Sequence, residues 1–303
     1  MRLLELLRSA SDQLARAGIE DPLADSEVLV FHAAAMDRLS AYTENPEVGQ
    51  GLLLTVRRML KRRVSGEPVQ YIVGQVDFLG LTVAVGKGVL IPRPETELLV
   101  QEAISILKIS HTLEPSGKTG QLSVLDLCTG SGCIALALAR EFPGAMVYGT
   151  DISKKAISYA QKNALQNGIV NAEFRTGSLF SPVKELRFDL ITANPPYIQT
   201  SEISGLQREV REWEPLRALD GGADGLEYYR RIFRSAAGHL RENGKIVLEL
   251  GFGESVEVME LAGEAGFPNV TVKKDYAGIE RILTAERPVS LRTCRGSRGA
   301  ART

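Results

Sequence analysis

Cysteine and histidine are scarce in this 303-residue chain, with three of each. The cysteines Cys128, Cys133 and Cys294 are odd in number and form no CxxC pair beside a histidine-rich set. That argues against both a disulfide framework and a zinc site, and reduced thiols are expected with no metal. His32, His111 and His239 stand scattered, none beside a serine or cysteine in a nucleophile-like setting. No apolar run approaches the length of a membrane span, and Met1 opens a charged amphipathic segment instead of a signal peptide. A cytoplasmic protein without a membrane partner is expected. Excess charge is lacking as well: the formal net charge is -1. Chains that live on nucleic acid usually carry a strong basic surplus, so stable nucleic-acid binding is not expected. What is present is ordinary globular material, 44% hydrophobic and 24% charged, in a length that suggests two domains.

Residues 1 to 66 read as a small helical unit. Leu3, Leu4, Leu7 and Leu14 recur at helical spacing, as do Leu53, Val56, Leu60 and Val64. Nothing in the unit looks catalytic, so recognition of a partner or packing is its expected use. Between residues 67 and 92 short β-like runs follow, at Tyr71–Val73, Val76–Phe78, Leu81–Val85 and Val89–Ile91, punctuated by glycines. They predict a β-hairpin connector. Pro94 fits the first turn of a helix running to about Ile109, with Glu95 and Glu97 at its positive end. That placement accounts for the two glutamates without acid–base work, and Arg93 reads as a structural ion-pair partner. A polar loop from His111 to Gln121 comes next. From Ser123 strands alternate with helices, which predicts a doubly wound, mostly parallel α/β sheet closed by an antiparallel pair at Val270–Lys273 and Arg281–Thr284. Residues 287 to 303 hold five arginines and no acid, and read as a disordered basic tail.

The segment Asp126-Leu127-Cys128-Thr129-Gly130-Ser131-Gly132 leaves a strand and opens a helix. Glycines there let a ligand approach the backbone, and the helix N-terminus offers free N–H groups. Gly130-x-Gly132-x-x-Ala135 alone also fits a dinucleotide-binding turn. Asp151 ends the next strand, about 20 residues on, where a carboxylate can grip ribose hydroxyls in either case. Asp126 favours another ligand. A carboxylate beside the turn repels a pyrophosphate but suits a molecule bearing an ammonium and a sulfonium. S-adenosylmethionine has both; a simple cap or turn residue is the competing reading of Asp126.

A second turn follows the strand Phe188–Thr192: Ala193-Asn194-Pro195-Pro196-Tyr197. The two prolines fix their own φ and donate no hydrogen bonds, and the first holds Asn194 extended. The result is a rigid turn at the carboxyl edge of the sheet, where open α/β folds bind ligands. Its acceptors are the Asn194 side-chain oxygen and the Pro195 carbonyl. Two fixed acceptors suit an NH2 group. An amide nitrogen is a poor nucleophile, and holding both its hydrogens can aim its lone pair at a methyl carbon. Tyr197 can lie over a planar substrate group. Trp213, between two glutamates, reads as a packing anchor or a cleft residue.

Asp126 to Gly132, Asp151 and Phe188 to Ile198 together resemble class I methyltransferases of the N-methylating branch. The larger pattern resembles the peptide-chain release factor glutamine methyltransferases more closely. It is carried by Gly66-Glu67-Pro68-Val69-Gln70-Tyr71-Ile72, by Leu90-Ile91-Pro92-Arg93-Pro94-Glu95-Thr96-Glu97, and by Glu214-Pro215 with Ala218 to Leu226. The resemblance implies a helical substrate-recognition domain (1–66), a hairpin connector (67–92) and a methyltransferase domain (93–286), with 287–303 as tail. It implies methyl transfer from S-adenosylmethionine, leaving S-adenosylhomocysteine, to the glutamine of the Gly-Gly-Gln loop of release factors; a monomer is expected, though the sequence does not fix the oligomeric state. Asp126, Cys128, Thr129, Gly130, Ser131, Gly132, Asp151, Leu179 and Asn194 would hold the cofactor. Asn194, Pro195, Pro196 and Tyr197 would hold the glutamine, with Asn194, Pro195 and Tyr197 catalytic. Two positions depart from the family pattern: Cys128 stands where glycine is usual, and Leu179 where tryptophan is frequent. Rival readings are a nucleic-acid amino methyltransferase, a ribosomal-protein glutamine methyltransferase, a nicotinamide-dependent oxidoreductase and a scaffold without chemistry.

Overall fold

A computed structural model describes residues 1–113 and 121–288. Cys294, the tail beyond 288 and most of the polar loop lie outside the described residues. Four helices open the chain, α1 (Leu3–Arg16), α2 (Pro22–Ala34), α3 (Arg38–Glu44) and α4 (Gln50–Val64). The apolar stripe of α1 buries Leu3, Leu6, Leu7, Ala10 and Leu14 against Leu29, Val30 and Phe31 of α2 and Val56 and Leu60 of α4. This unit therefore has a core of its own. Each fully buried leucine contributes roughly 1.5–3 kcal/mol relative to exposure.

Tyr71–Val73, expected as a strand, is instead part of a short helix, α5 (Val69–Val73). Pro68 starts it and Gly74, at φ 86°, ends it. The β-branched and aromatic composition that suggests a strand here reflects burial of Tyr71 and Ile72. The hairpin that follows is β1 (Gln75–Phe78) and β2 (Leu81–Ala84), antiparallel, and Val89–Ile91 forms no strand. Helix α6 spans Thr96–Leu113, so it begins two residues after Pro94 and runs beyond Ile109.

The remaining elements are β3 (Ser123–Leu127), α7 (Cys133–Glu141), β4 (Met146–Asp151), α8 (Lys154–Gln166), β5 (Ala172–Thr176), β6 (Phe188–Ala193), α9 (Arg208–Trp213), α10 (Glu227–His239), β7 (Leu240–Glu249), α11 (Ser255–Glu264), β8 (Thr271–Lys274) and β9 (Glu280–Glu286). Seven strands form one sheet in the order β5-β4-β3-β6-β7-β9-β8. The first five are parallel and β9 is antiparallel to both its neighbours. Side chains alternate between two cores, as the pleat requires. Val124, Leu190, Val247 and Ile282 face the layer containing α6, α7 and α8, while Leu125, Ile191, Ile246 and Leu283 face α10 and α11. Arg287, assigned to the tail by sequence, donates to the carbonyls of Gly244 and Ala237 and belongs to the folded body. In this order β3 and β6 are neighbours, so the turns that leave their carboxyl ends are brought together.

Candidate active site

The glycine-rich turn opens at Cys128, whose backbone takes φ 55°. Thr129 N–H donates to Thr150 O at 3.0 Å, and Gly130 N–H donates to the Asp151 carboxylate at 3.0 Å. The other Asp151 oxygen accepts from Ser153 N–H at 2.8 Å, tying the carboxylate between the turn and the start of α8. Burial pushes its pKa up, while these two amides and the charge of Arg217 pull it down. Gly132 has φ 83°, and a Cβ there would meet Ala160 Cβ at 3.0 Å, so the turn and α8 touch because residue 132 has no side chain.

These residues line a cavity of about 970 Å³. Cys128, Thr129, Gly130, Ser131, Asp151, Leu179 and Asn194, which the sequence analysis assigns to the cofactor, are on its wall, together with Pro196, which it assigns to the glutamine. Asp126 and Gly132 are not. The Asp126 side chain is fully buried behind the turn. Thr129 Oγ1 donates to one of its oxygens at 2.6 Å and Thr192 Oγ1 to the other at 2.9 Å. Burial raises its pKa to about 7 against the pull of these bonds. Its place is structural: it joins β3, β6 and the turn. Leu179, at φ 47°, offers apolar surface and accepts from Thr150 Oγ1 through its carbonyl.

A second cavity of about 1120 Å³ adjoins the first, and Leu90, Arg93, Asn194 and Ala218 border both. Pro195 and Tyr197 face this second space, and Pro196 the first. Burial raises the Tyr197 phenol pKa, which keeps the ring neutral. Beyond Tyr197 the chain is clamped: Ile198 N–H donates to Leu219 O at 2.9 Å, and Gly221 N–H to Ile198 O at 2.8 Å. A Cβ at residue 221 would come within 2.7 Å of Tyr197 Cα, so only glycine permits this approach.

Several residues around the site were not singled out from the sequence. Asn194 Nδ2 donates to Thr96 Oγ1 at 3.1 Å, and Thr96 Oγ1 donates to Glu249 Oε2 at 2.7 Å. Thr96, Arg217, Tyr228 and Arg231 also line the first cavity. Their signals were faint: Glu249 is a lone charge within the apolar run Ile246 to Leu250, and Thr96 sits inside a glutamate-rich segment. Arg93 is the ion-pair residue expected of it, with Glu214 at 2.5 Å, and Glu214 also accepts from Ile91 N–H at 3.0 Å. Trp213 packs on the sheet core and is absent from both cavity walls, which favours the anchor reading. His32 is exposed and His239 stacks on Phe180, both away from the cavities. Among the described residues no cluster of histidine, cysteine or carboxylate side chains could hold a metal, and no helix is long and apolar enough to cross a membrane.

Comparison with known proteins places this architecture. The release factor glutamine methyltransferase of Thermodesulfovibrio yellowstonii is 43% identical over 88% of this chain and 93% of that protein. The chain belongs to the release factor glutamine methyltransferase family. Its counterpart in Geobacter sulfurreducens is 41% identical over 89% of this chain and 91% of its own length. A profile described as PrmC N-terminal domain matches residues 5–74, and one described as methyltransferase domain matches residues 118–237. Among solved structures, the catalytic domain of hMettl16 in complex with an RNA hairpin aligns over 77% of this chain and 83% of that one, with a TM-score of 0.55 and 19% identity. That likeness is one of fold. Family membership agrees with the segments at 66–72, 90–97 and 214–226, which the fold gathers around the second cavity and its rim.

Proposed function

We propose that this chain transfers a methyl group from S-adenosylmethionine to the side-chain amide nitrogen of the glutamine in the Gly-Gly-Gln loop of peptide-chain release factors, in the cytoplasm. The observation that carries the reading is the position of Asn194 on the wall shared by two cavities, with its amide nitrogen tied inward. S-adenosylmethionine supplies a methyl group on a positively charged sulfur. The first cavity fits it: the turn at 128–132 lets the backbone approach, Asp151 presents a carboxylate suited to ribose hydroxyls, and Leu179 offers an apolar face for the adenine. Asp126 supports that turn from behind.

The second cavity would admit the glutamine. Asn194 Oδ1 and the Pro195 carbonyl are acceptors, and together they can take both hydrogens of a primary amide. Holding them turns the nitrogen lone pair toward the first cavity and favours the positive charge that builds on nitrogen during attack. Neutral Tyr197 can cover the planar group. The helical unit before residue 67 would contact the body of the release factor, since the segment that follows it packs Val69 and Ile72 on its core and brings Pro68 and Gln70 to this cavity.

The test is transfer of label from S-adenosylmethionine to a bacterial-type release factor, beside a version with the Gly-Gly-Gln glutamine changed to alanine and beside duplex DNA. Label on the intact factor alone is expected. Label on DNA, or on both factor versions equally, would overturn the glutamine assignment.

A further inference from the structure

Every oxygen and nitrogen of a primary amide side chain can bond, and the two ends differ only in whether they accept or donate. Which end of Asn194 meets the substrate is therefore a chemical question that the Asn-Pro-Pro-Tyr turn alone does not answer. Behind Asn194 two side chains with 2% exposure do. Thr96, the first residue of α6, and Glu249, the last residue of β7, come from segments 153 positions apart and meet under the turn. Once ionised, the Glu249 carboxylate only accepts. Thr96 Oγ1 must then give its single hydrogen to Glu249, at 2.7 Å. The hydroxyl has only lone pairs left, and these must receive a donor, which is Asn194 Nδ2 at 3.1 Å. The opposite amide orientation would set Asn194 Oδ1 against the lone pairs of Thr96 and the Glu249 carboxylate, leaving a buried acceptor without a donor. A buried acceptor facing only acceptors is disfavoured, so the orientation with Nδ2 toward Thr96 is the preferred one.

We propose that Glu249, acting through Thr96, is the positioning group that points the Asn194 oxygen at the substrate, and so selects a side chain ending in NH2 over one ending in a carboxylate. Neither residue touches the transferred group; they act through Asn194. The inference rests on the glutamine reading above. With oxygen outward, Asn194 and the Pro195 carbonyl form an acceptor pair that welcomes two N–H donors and repels the two acceptor oxygens of a glutamate. With nitrogen outward the pair becomes mixed, and both the alignment of the amide and the rejection of glutamate weaken.

The experiment compares wild type with Thr96→Val, Thr96→Ser and Glu249→Gln, each as the full chain. It measures kcat and KM on a release factor, the Kd of S-adenosylmethionine, and binding of the factor against a version whose Gly-Gly-Gln glutamine is glutamate. Thr96→Val keeps the shape and removes the relay. Expected is a fall in kcat of about tenfold or more, with the preference for glutamine over glutamate eroded by a similar factor, which corresponds to about 1.4 kcal/mol. Because Thr96 also lines the first cavity, any shift in the Kd of S-adenosylmethionine should be smaller than the fall in kcat, and Thr96→Ser should recover most of the kcat and the preference. Glu249→Gln should behave as Thr96→Val, because a neutral amide no longer dictates the direction of the chain of bonds. If Glu249→Gln does not fold, the valine and serine pair decides. Wild-type kcat and preference in Thr96→Val, with wild-type labelling of the factor, would overturn the inference alone. Absence of labelling by wild type would instead overturn the glutamine reading, and the inference with it.

Discussion

At residue 128 the backbone lies in the left-handed region, φ 55°, where an L side chain costs roughly 1–2 kcal/mol and glycine costs none. That explains why a glycine there suits the turn and why Cys128 reads as a departure. The change Cys128→Gly is expected to relieve the strain, and after the extra freedom of glycine in the unfolded chain a net gain of about 0.5–1 kcal/mol should remain. A melting curve checks it, and a lowered Tm would show that packing of the thiol outweighs the backbone. Glu249 makes a pH prediction. Burial raises its pKa to about 7 from an ordinary 4.5, with Thr96, Arg281 and Asn194 pulling down and Glu95 pushing up. Tyr197, Tyr229 and Cys133 also face it. The folded chain keeps a proton that the unfolded chain has released, so the stability from this group is complete below pH 4.5 and is lost as pH rises through 7. Activity should move the other way, because only the ionised carboxylate fixes the direction of the Thr96–Asn194 bonds. Wild-type kcat should climb through about pH 7 as its Tm declines, and in Glu249→Gln both slopes should flatten. A kcat slope unchanged in that variant would assign the titration to another group. Asn194, its two prolines and Tyr197 were legible in sequence because the four residues are consecutive. Glu249 was not, because its meaning lies in a partner 153 positions away.

Among the elements, the hairpin shows how a side chain can replace a strand. Asn163 and Asn167 stand one turn apart on α8 and its C-terminal end, facing the free edge of β2. Asn163 Oδ1 accepts from Ala84 N–H at 2.7 Å while its Nδ2 donates to Ala84 O at 3.1 Å. Asn167 repeats the pair on Thr82, at 3.2 and 2.9 Å. Residues 82 and 84 present edge groups on the same side of a strand, and a carboxamide has the donor and acceptor of a peptide group, so the match is two successive ladder rungs. The edge is thereby closed to other strands. Asn163 Nδ2 also donates to Ser131 O at 2.9 Å, which links the hairpin to the glycine-rich turn. Asn163→Ala should cost about 2–3 kcal/mol, since Ala84 and Ser131 lose buried partners. Hydrogen exchange should speed up at residues 81–86, and protection unchanged there would refute the anchoring. The strand-helix alternation from β3 to β7 was legible because buried parallel strands read as short apolar runs. Helix α5 was misread and α11 unread for the converse reason. Tyr71 to Val73 has strand-like composition in only a few residues, and α11 buries just Ser255, Val258 and Ala262 while exposing Val256 and Met259. Its apolar period is too weak to stand out.

For the whole molecule, the helical unit is held against the elements that wall the second cavity. Arg63, with a side chain 8% exposed, joins them: it holds Asp25 of α2 at 2.5 Å and Glu209 of α9 at 2.5 Å. Gln207 adds a bond to Glu20 at 2.8 Å. Helix α9 supplies Glu209 and Val210 to the second cavity and nothing to the first. A buried cation between two carboxylates is hard to remove, because the carboxylates then face one another without compensation. No spacing in the sequence announces this bridge, since Arg63 is one of a basic run on α4 and only the packing of α9 distinguishes it. The consequence is a split in kinetic effects. Arg63→Ala should let α9 drift from α2, weakening the wall of the second cavity while that of the first stays intact. KM for the release factor should rise about fivefold, equivalent to roughly 1 kcal/mol, and KM for S-adenosylmethionine should stay near its wild-type value. Steady-state kinetics on the two substrates separates the cases. An equal rise in both constants would mean that the bridge supports the fold as a whole, and no rise in either would mean that α9 is held by its other contacts.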